Sequence, residues 1–192
     1  MIDSGLQEGL LNTRRILSAL SIILALFVVC PPSHSTELIL NNTPIKVFFS
    51  PNGGCTEAII EEITNAKSEI LIQAYSFTSA PIAKALLEAH KRDVNVQAIL
   101  DRSQRAASYS SASFLANSGI PTFIDAAHAI AHNKVVIIDG TTVITGSFNF
   151  TKKAEDKNAE NLLIIKSEEM AKLYKDNWDA HRQHSEEYAP RY

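Results

Sequence analysis

Apolar residues along this chain alternate between short runs typical of buried strands and longer stretches with helical spacing. Runs rich in β-branched and aromatic residues predict strands at Ile45–Ser50, Glu69–Phe77, Asn95–Asp101, Thr122–Ile124, Asn133–Ile138, Thr142–Ser147 and Leu162–Lys166. Helical segments separate several of these runs. The pattern therefore predicts an α/β fold, a single domain with a mixed β-sheet flanked by helices on both faces.

The segments between and after the strands repeat apolar residues with the period of an α-helix. The predicted helices begin near Thr56, cover Ile82 to His90, span Ser103 to Asn117 with weaker periodicity, and run from Ser167 to His184. The polar tail after His184 lacks a comparable pattern. We expect it to be loose.

The first 35 residues do not fit this alternation. Arg14 and Arg15 precede a continuous apolar run over 16–29, and Pro31 to Ser35 follow it. A basic region, an apolar core and a small-residue cleavage site characterise secretory signal peptides. We expect residues 1–35 to be a signal peptide and residues 36–192 to be a periplasmic or secreted domain. The alternative is a retained membrane anchor, although the run is shorter than the roughly 20 residues that a span prefers.

Charge and cysteine content narrow the choice of partners. The formal net charge is −3, whereas proteins that bind nucleic acid are usually basic. Attraction for a polyanion must therefore be local, and the candidate cations are Lys134, Lys152, Lys153, Lys157, Arg102 and Arg105.

Cys30 would leave with the signal peptide, so Cys55 could form no disulfide within the mature chain. Pairing between subunits is one state open to Cys55, and a small buried thiol at a helix start is the commoner one.

The candidate catalytic residues form one sequence motif with the spacing H-x-K-x4-D-x6-G-S-x-N. Its residues are His132, Lys134, Asp139, Gly146, Ser147 and Asn149. Asp139-Gly140 is a strong turn signal between two strand runs, so the motif predicts a β-hairpin. Ser147 lies opposite His132 if Asp139 and Gly140 are the central turn residues. If the loop is Gly140-Thr141, Ser147 lies opposite Lys134 and Asn149 opposite His132. Either register clusters polar groups on one face, which is costly in a buried hairpin unless they pair or bind something.

These side chains suit a phosphodiester. Lys134 and Asn149 can surround its nonbridging oxygens with charge and donors, and the hydroxyl of Ser147 can help. Neutral His132 can be the nucleophile. No residue pattern in the sequence resembles a metal site.

The motif resembles the HKD signature of the phospholipase D superfamily, and the chain from about Ile45 to Tyr188 is similar to its short, single-motif bacterial endonucleases of the Nuc type. The resemblance extends to residues 50–56, 73–79, 128–131, 148–151 and 158–161. It implies a phospholipase D-like fold and a covalent phosphohistidine on His132, hydrolysed by water without metal or other cofactor. It also implies that Lys134 and Asn149 hold the phosphate, that Ser147 supports the site, and that Asp139 is a catalytic motif residue with an orienting role.

Two further residues have alternative roles. Glu160 matches a family carboxylate that orients the histidine, and accepting one imidazole N–H would leave the other nitrogen free to attack. The alternative for Glu160 is a solvated loop glutamate. For His128, a ligand or proton-shuttle role competes with a packed structural histidine, which we expect because lone histidines are often packed and satisfied.

The chain has one copy of the motif, whereas larger relatives have two that meet about an internal twofold axis. The resemblance therefore implies a C2 homodimer with the active site at the interface, in which His132 of the partner subunit is the general acid. We expect a metal-independent, sequence-nonspecific endonuclease acting on single- or double-stranded DNA, with RNA left open. The alternatives are a membrane-anchored phospholipase D or cardiolipin hydrolase using the same site, and a non-catalytic nucleic-acid-binding module, which would not need a nucleophile.

Overall fold

A mixed sheet of eight strands lies at the centre of the fold, in the order β1-β7-β6-β5-β2-β3-β4-β8. The computed structural model describes residues 35–107 and 110–190, and the chain from Leu38 onwards is one compact unit. The strands are β1 (Ile45–Ser50), β2 (Glu69–Ala74), β3 (Asn95–Asp101), β4 (Thr122–Asp125), β5 (Lys134–Ile138), β6 (Thr142–Gly146), β7 (Glu160–Lys166) and β8 (Glu186–Glu187). β2, β3 and β4 pair in parallel, and the other neighbours are antiparallel.

Helices cover both faces of this sheet, which confirms the predicted architecture. The described helices are α1 (Cys55–Asn65), α2 (Ala80–His90), α3 (Ala112–Asn117), α4 (Lys152–Asp156) and α5 (Glu168–His184). The larger core contains residues of α1 to α4, such as Ile59 and Leu86. On the opposite face α5 packs Ala171 and Trp178 against a second cluster, and the Trp178 indole N–H donates to Ile72 O at 3.1 Å.

Both ends of helix α5 lie within one residue of the predicted positions. The Ser167 hydroxyl accepts a hydrogen bond from Met170 N at 3.2 Å, as an N-cap does. Glu168 and Glu169 lie in the first turn, and the basic residues of the last turn include His181 and His184. The two carboxylates complement the partial positive charge at the N-terminus of the helix.

The helix predicted over residues 103–117 is wrong. The structure has a 3-10 turn at Arg102–Arg105 and the separate short helix α3. The segment is rich in serine, whose hydroxyl competes with the helical backbone hydrogen bonds. Within it, the Ser110 hydroxyl accepts from Ala112 N and the Asp101 carboxylate accepts from Ser103 N.

The tail after His184 is also not loose. β8 pairs with β4 at the edge of the sheet, and Tyr188 is buried. The Tyr188 hydroxyl lies 2.7 Å from Ser113 Oγ, and its backbone N–H donates to Thr122 O at 2.8 Å. Two residues of strand are too few for a periodic pattern, so local sequence could not reveal this pairing.

The structure bears differently on the N-terminal apolar run and on Cys55. The apolar run over 16–29 lies outside the described residues, and none of the helices within those residues is long and apolar enough to cross a membrane. Cys55 is a free, buried thiol in the first turn of α1. Burial, with a further contribution from the Glu155 carboxylate, raises the pKa of Cys55 to about 11, so its thiol is unreactive at neutral pH.

Candidate active site

The β5–β6 hairpin positions the motif, and its register differs from both predicted alternatives. Ile138 pairs with Thr142 and Val135 with Thr145, so the loop has three residues, Asp139 to Thr141. Asp139 and Gly140 adopt φ angles of 53° and 63°. Loops of two or three residues fit the same turn signal, and the difference of one residue shifts each cross-strand pair.

The glycine of the motif, Gly146, ends β6 beside β7. Its φ is 148°, and an added Cβ would lie 2.3 Å from Asn161 O. A side chain at this position would therefore collide with backbone. Glycine allows β7 to approach closely, and the N–H groups of Ser147 and Phe148 both donate to Asn161 O, at 3.1 and 3.2 Å.

His132 and Lys134 lie at the start of β5 together with Tyr75, which follows β2. His132 is exposed, and its ring lies 4.5 Å from the Tyr75 ring, centroid to centroid. The buried Lys134 donates from Nζ to His132 O at 2.6 Å, and Nζ lies 5.0 Å from the centre of the Tyr75 ring. Burial lowers the pKa of Lys134, while the charge of Glu160 opposes that shift. The site thus places a buried ammonium next to an accessible imidazole.

Ser147 and Asn149 follow the hairpin in the loop before α4. Ser147 Oγ accepts from Asn161 N at 3.1 Å and from Asn161 Nδ2 at 3.3 Å, so its oxygen is fixed by β7. Asn149 Oδ1 is buried without a hydrogen-bond partner among the described residues. Exchanging the oxygen and nitrogen of this amide would place its NH₂ group at the buried position, where an oxygen of a bound ligand could accept from it.

Glu160 is the first residue of β7 rather than a loop residue before it. Its Oε1 accepts a hydrogen bond from Asn158 Nδ2 at 3.0 Å, and its charge partly offsets the lowering of the Lys134 pKa by burial. Within the described part of the chain, the hydrogen bond to Glu160 comes from Asn158 and none comes from His132. In this structure, Glu160 acts electrostatically on the ammonium.

The structure does not bring Asp139 into the site, although it belongs to the motif. His132 lies two residues before β5 and Asp139 directly after it, so the five-residue strand, about 17 Å long at the usual rise, lies between them. Its carboxylate accepts from the backbone N–H groups of Lys67, Ser68 and Glu69, at 2.9, 2.8 and 3.0 Å, and from Ser68 Oγ. Burial raises the pKa of Asp139, but these hydrogen bonds outweigh burial and the net pKa is lowered. Asp139 therefore holds the α1–β2 loop in this structure, and its catalytic role stays a prediction.

Asp101 is a site-forming residue that the sequence did not reveal. It is buried at the end of β3, and its Oδ2 accepts from Ala131 N, one residue before His132, at 2.8 Å. Its other oxygen accepts from Ser103 N at 2.8 Å. Asp101 therefore fixes the loop that delivers the histidine. An aspartate at a strand end was the available signal, but its partner was not predictable locally.

The predicted cations have different surroundings. Arg105 pairs with Glu186 and Lys152 with Asp156. Arg102, Lys153 and Lys157 are exposed. Lys134 alone among the six is buried in the hairpin.

His128 belongs to a second cluster, with Asp125, His181 and His184. One ligand atom from each of these four residues lies within 4.8 Å of all the others. The sequence predicted no metal site, because these residues come from separate parts of the chain.

A mixed sheet covered on both faces, with a histidine, a buried lysine and an amide grouped at the end of a hairpin, defines a phosphodiesterase of the HKD class. Residues 59–182 match the family described as cardiolipin synthase, PLD-like domain. The chain therefore belongs to the phospholipase D superfamily.

Known relatives support this membership and add the Nuc type. The chain is 43% identical to phospholipase D of Rickettsia conorii over 139 residues, which is 72% of this chain and 70% of the relative. The fold matches the crystal structure of the phospholipase D family member Nuc from Salmonella typhimurium with a TM-score of 0.74 and 38% identity, over 76% of this chain and 98% of that one. NucT from Helicobacter pylori matches with a TM-score of 0.72 and 25% identity, over 76% and 99%.

A more distant relative is the mitochondrial cardiolipin hydrolase of Xenopus laevis. It is 33% identical over 121 residues, 63% of this chain and 58% of the relative. The relatives thus share phosphodiesterase chemistry, but their names point to different substrates.

Proposed function

We propose that this protein is an exported, sequence-nonspecific endonuclease that hydrolyses phosphodiester bonds of DNA, and of RNA where it is accessible. The observation that carries the proposal is the exposure of His132 beside the buried Lys134. An accessible nucleophile next to a fixed charge suits a phosphate in the middle of a long polymer. The basic and apolar pattern before Ser35 supports export, and a mature N-terminus near Thr36 would be the corresponding finding.

The surroundings favour a polyanion over a lipid. Lys152, Lys153 and Lys157 follow Asn149 closely in the chain, and all three are exposed. A nucleic acid carries further phosphates on both sides of the cleaved one, and such cations can attract them. A phospholipid headgroup has no such row of flanking phosphates. Because the net charge is negative, we expect modest, salt-sensitive engagement rather than tight binding.

The proposed reaction has two displacements at phosphorus. An imidazole nitrogen of His132 attacks, a P–N bond forms, and the bond to one ester oxygen breaks. Lys134 stabilises the charge that develops on the nonbridging oxygens, and the Asn149 amide can present its NH₂ end to one of them. A proton goes to the leaving oxygen. Water then attacks the phosphohistidine and gives a proton to the group that protonated the leaving oxygen, the P–N bond breaks, and the histidine is regenerated.

We propose a C2 homodimer as the source of the acid, supplied by His132 of the partner subunit. An apolar stripe on the edge strand β1, formed by Ile45, Val47 and Phe49, supports a second copy as the partner. These side chains are 46%, 52% and 67% exposed. The stripe continues towards the site, because Phe49 pairs with Asn161, the residue that fixes Ser147. Burying such a stripe in an isologous interface would favour association.

Incubation of the purified protein with DNA, RNA and phospholipid vesicles, each with and without EDTA, tests the activity. We expect nucleic acid to be cleaved at many sequences in the presence of EDTA. Complete inhibition by EDTA that magnesium reverses would overturn the histidine mechanism. Selective release of phospholipid headgroups would instead support a phospholipase, the second candidate, which the name of the Rickettsia relatives favours.

Mixing subunits tests the dimer. Heterodimers of wild-type and His132→Ala chains would lack either the nucleophile or the acid, so the variant should reduce activity beyond simple dilution. Phe49→Glu should shift sedimentation towards the monomer and make specific activity depend on concentration, whereas the exposed Phe114→Glu should not. A fully active monomer would overturn the composite site.

A further inference from the structure

A four-residue cluster lies where the end of β4, the following loop and the end of α5 meet. Asp125 ends β4, His128 lies in the β4–β5 loop, and His181 and His184 occupy the last turn of α5. The two helical histidines are three positions apart in sequence, so they project from the same side of the helix. Their rings lie 5.3 Å apart, and the His128 ring lies 4.9 Å from that of His181 and 5.2 Å from that of His184.

All three imidazoles direct a nitrogen towards the same carboxylate oxygen. Asp125 Oδ2 lies 2.7 Å from His181 Nδ1, 3.3 Å from His184 Nε2 and 3.8 Å from His128 Nε2. In a tetrahedral zinc site with bonds of about 2.0–2.1 Å, neighbouring ligand atoms lie roughly 3.3 Å apart. The three distances to Asp125 Oδ2 bracket that value, and all four ligand atoms lie within 4.8 Å of one another. Small side-chain adjustments would suffice to close the four ligands around one ion.

The surroundings of the carboxylate fit the same interpretation. The Asp125 side chain is fully buried, and a buried carboxylate must be paired, hydrogen-bonded or bound to a metal. Its other oxygen accepts from Ala127 N at 3.0 Å, a contact that orients a metal-bound carboxylate. The side chains of His128 and His184 are 47% and 38% exposed, which leaves a path for an ion to enter.

We propose that Asp125, His128, His181 and His184 bind one divalent transition-metal ion, zinc by preference, at a structural site. Three imidazoles and one carboxylate form a donor set that suits zinc in tetrahedral geometry. Four protein ligands leave no open position for a reacting water, so the ion takes no part in the chemistry at His132. It fastens the end of α5 to β4 and to the loop that leads to His132.

Metal titration of the chelator-treated, full-length protein tests the site. We expect one zinc per chain by elemental analysis and a visible spectrum of tetrahedral cobalt when Co²⁺ replaces zinc. Zinc at about 100 times its dissociation constant should raise the melting temperature by about 5–10 °C. His184→Ala and His181→Ala should each weaken zinc binding more than about 100-fold, since even residues that merely support ligands contribute 10- to 100-fold.

His90→Ala is the matched control, because His90 lies outside the cluster, and it should keep one zinc per chain. Absence of stoichiometric zinc from the wild-type protein would overturn the site, as would unchanged binding in both ligand variants. The cobalt spectrum of the unmutated protein decides the question even if a variant misfolds. Failure of this site would leave the endonuclease proposal intact, because the two are measured separately.

Discussion

The two ends of strand β5 differ in how completely their polar groups are satisfied. At one end, Asp139 accepts hydrogen bonds from three backbone N–H groups and a hydroxyl. At the other, His132 is exposed, and Lys134 is buried with a carbonyl and an aromatic ring as neighbours. Among the described residues, Lys134 forms no salt bridge. The comparison shows that the two ends of one short motif differ physically, since one end holds the fold and the other leaves a buried charge beside an accessible imidazole.

The largest effect should come from His132→Ala. Loss of a covalent nucleophile typically lowers turnover roughly 10⁴-fold or more, so this variant should be nearly inactive. Because His132 is exposed, the melting temperature of the variant protein should stay close to that of the wild type. Steady-state kinetics and thermal unfolding measure both quantities, with His90→Ala as the control. Retention of a tenth of wild-type activity would mean that another residue attacks phosphorus.

Lys134→Ala should lower kcat by about 10²- to 10³-fold, the loss typical of removing one group that stabilises transition-state charge. Lys153→Ala removes an exposed lysine that follows the motif and should change kcat less than about threefold. The comparison separates the contribution of the buried charge of Lys134 from the general electrostatic attraction that surface lysines such as Lys153 provide. Equal losses in the two variants would show that Lys134 contributes only to the overall field.

Asp139→Asn should have the opposite profile, with lower stability and nearly normal kcat for the folded protein. Replacing charge-assisted hydrogen bonds with neutral ones should cost about 1–3 kcal/mol in the free energy of unfolding. Asparagine tolerates the left-handed backbone of this position. Asp93→Asn is the matched control, since Asp93 also has a positive φ, of 65°. A loss of kcat as large as that of Lys134→Ala would return Asp139 to the active site.

The same variant has a defined pH dependence. The pKa of Asp139 is lower in the folded protein than in the unfolded chain, so its stabilisation is complete above the unfolded value of about 3.9. It is lost as the pH falls through the folded pKa. In urea unfolding, the difference between wild type and Asp139→Asn should therefore be constant near neutral pH and shrink below about pH 4.

Expressed as a free-energy change, the smallest effect should come from Asp101→Asn. The amide keeps one oxygen for the two N–H groups of Ala131 and Ser103, so the loop before His132 should loosen without detaching. We expect kcat to fall roughly 3- to 10-fold with KM unchanged, because misplacement of a reacting group affects the transition state most. Asp176→Asn, on the exposed face of α5, is the control. A change confined to KM would instead place Asp101 in substrate binding.

The sequence predicted those parts of the fold that depend on local patterns. β1 and β3 have the predicted bounds, and α5 begins one residue after its predicted start, because alternation and amphipathic spacing are short-range signals. The grouping of the motif residues at the end of one hairpin was predictable because their spacing within the hairpin is fixed. The hairpin register was wrong by one residue, since turn chemistry permits loops of different length.

Other features depend on contacts between distant residues. Asp139 caps a loop about 70 residues earlier, and nothing in its own segment distinguishes that role from an orienting one. Asp125 and His181 are 56 residues apart in sequence, and only the packing of α5 on the sheet brings them together. Pairing of β8 with β4 likewise requires the completed fold.

Gly146 has a consequence for how far this sequence can diverge. Backbone of the adjacent strand occupies the space of its missing side chain, with Asn161 O at 2.3 Å from the Cβ position. In a saturation library, replacements at Gly146 should be depleted even in a selection for folding alone. Gly140, which has no atom within 4 Å of the corresponding position, should tolerate asparagine. The motif glycine is therefore retained for its geometry, and its presence by itself is no sign that a homologue is active.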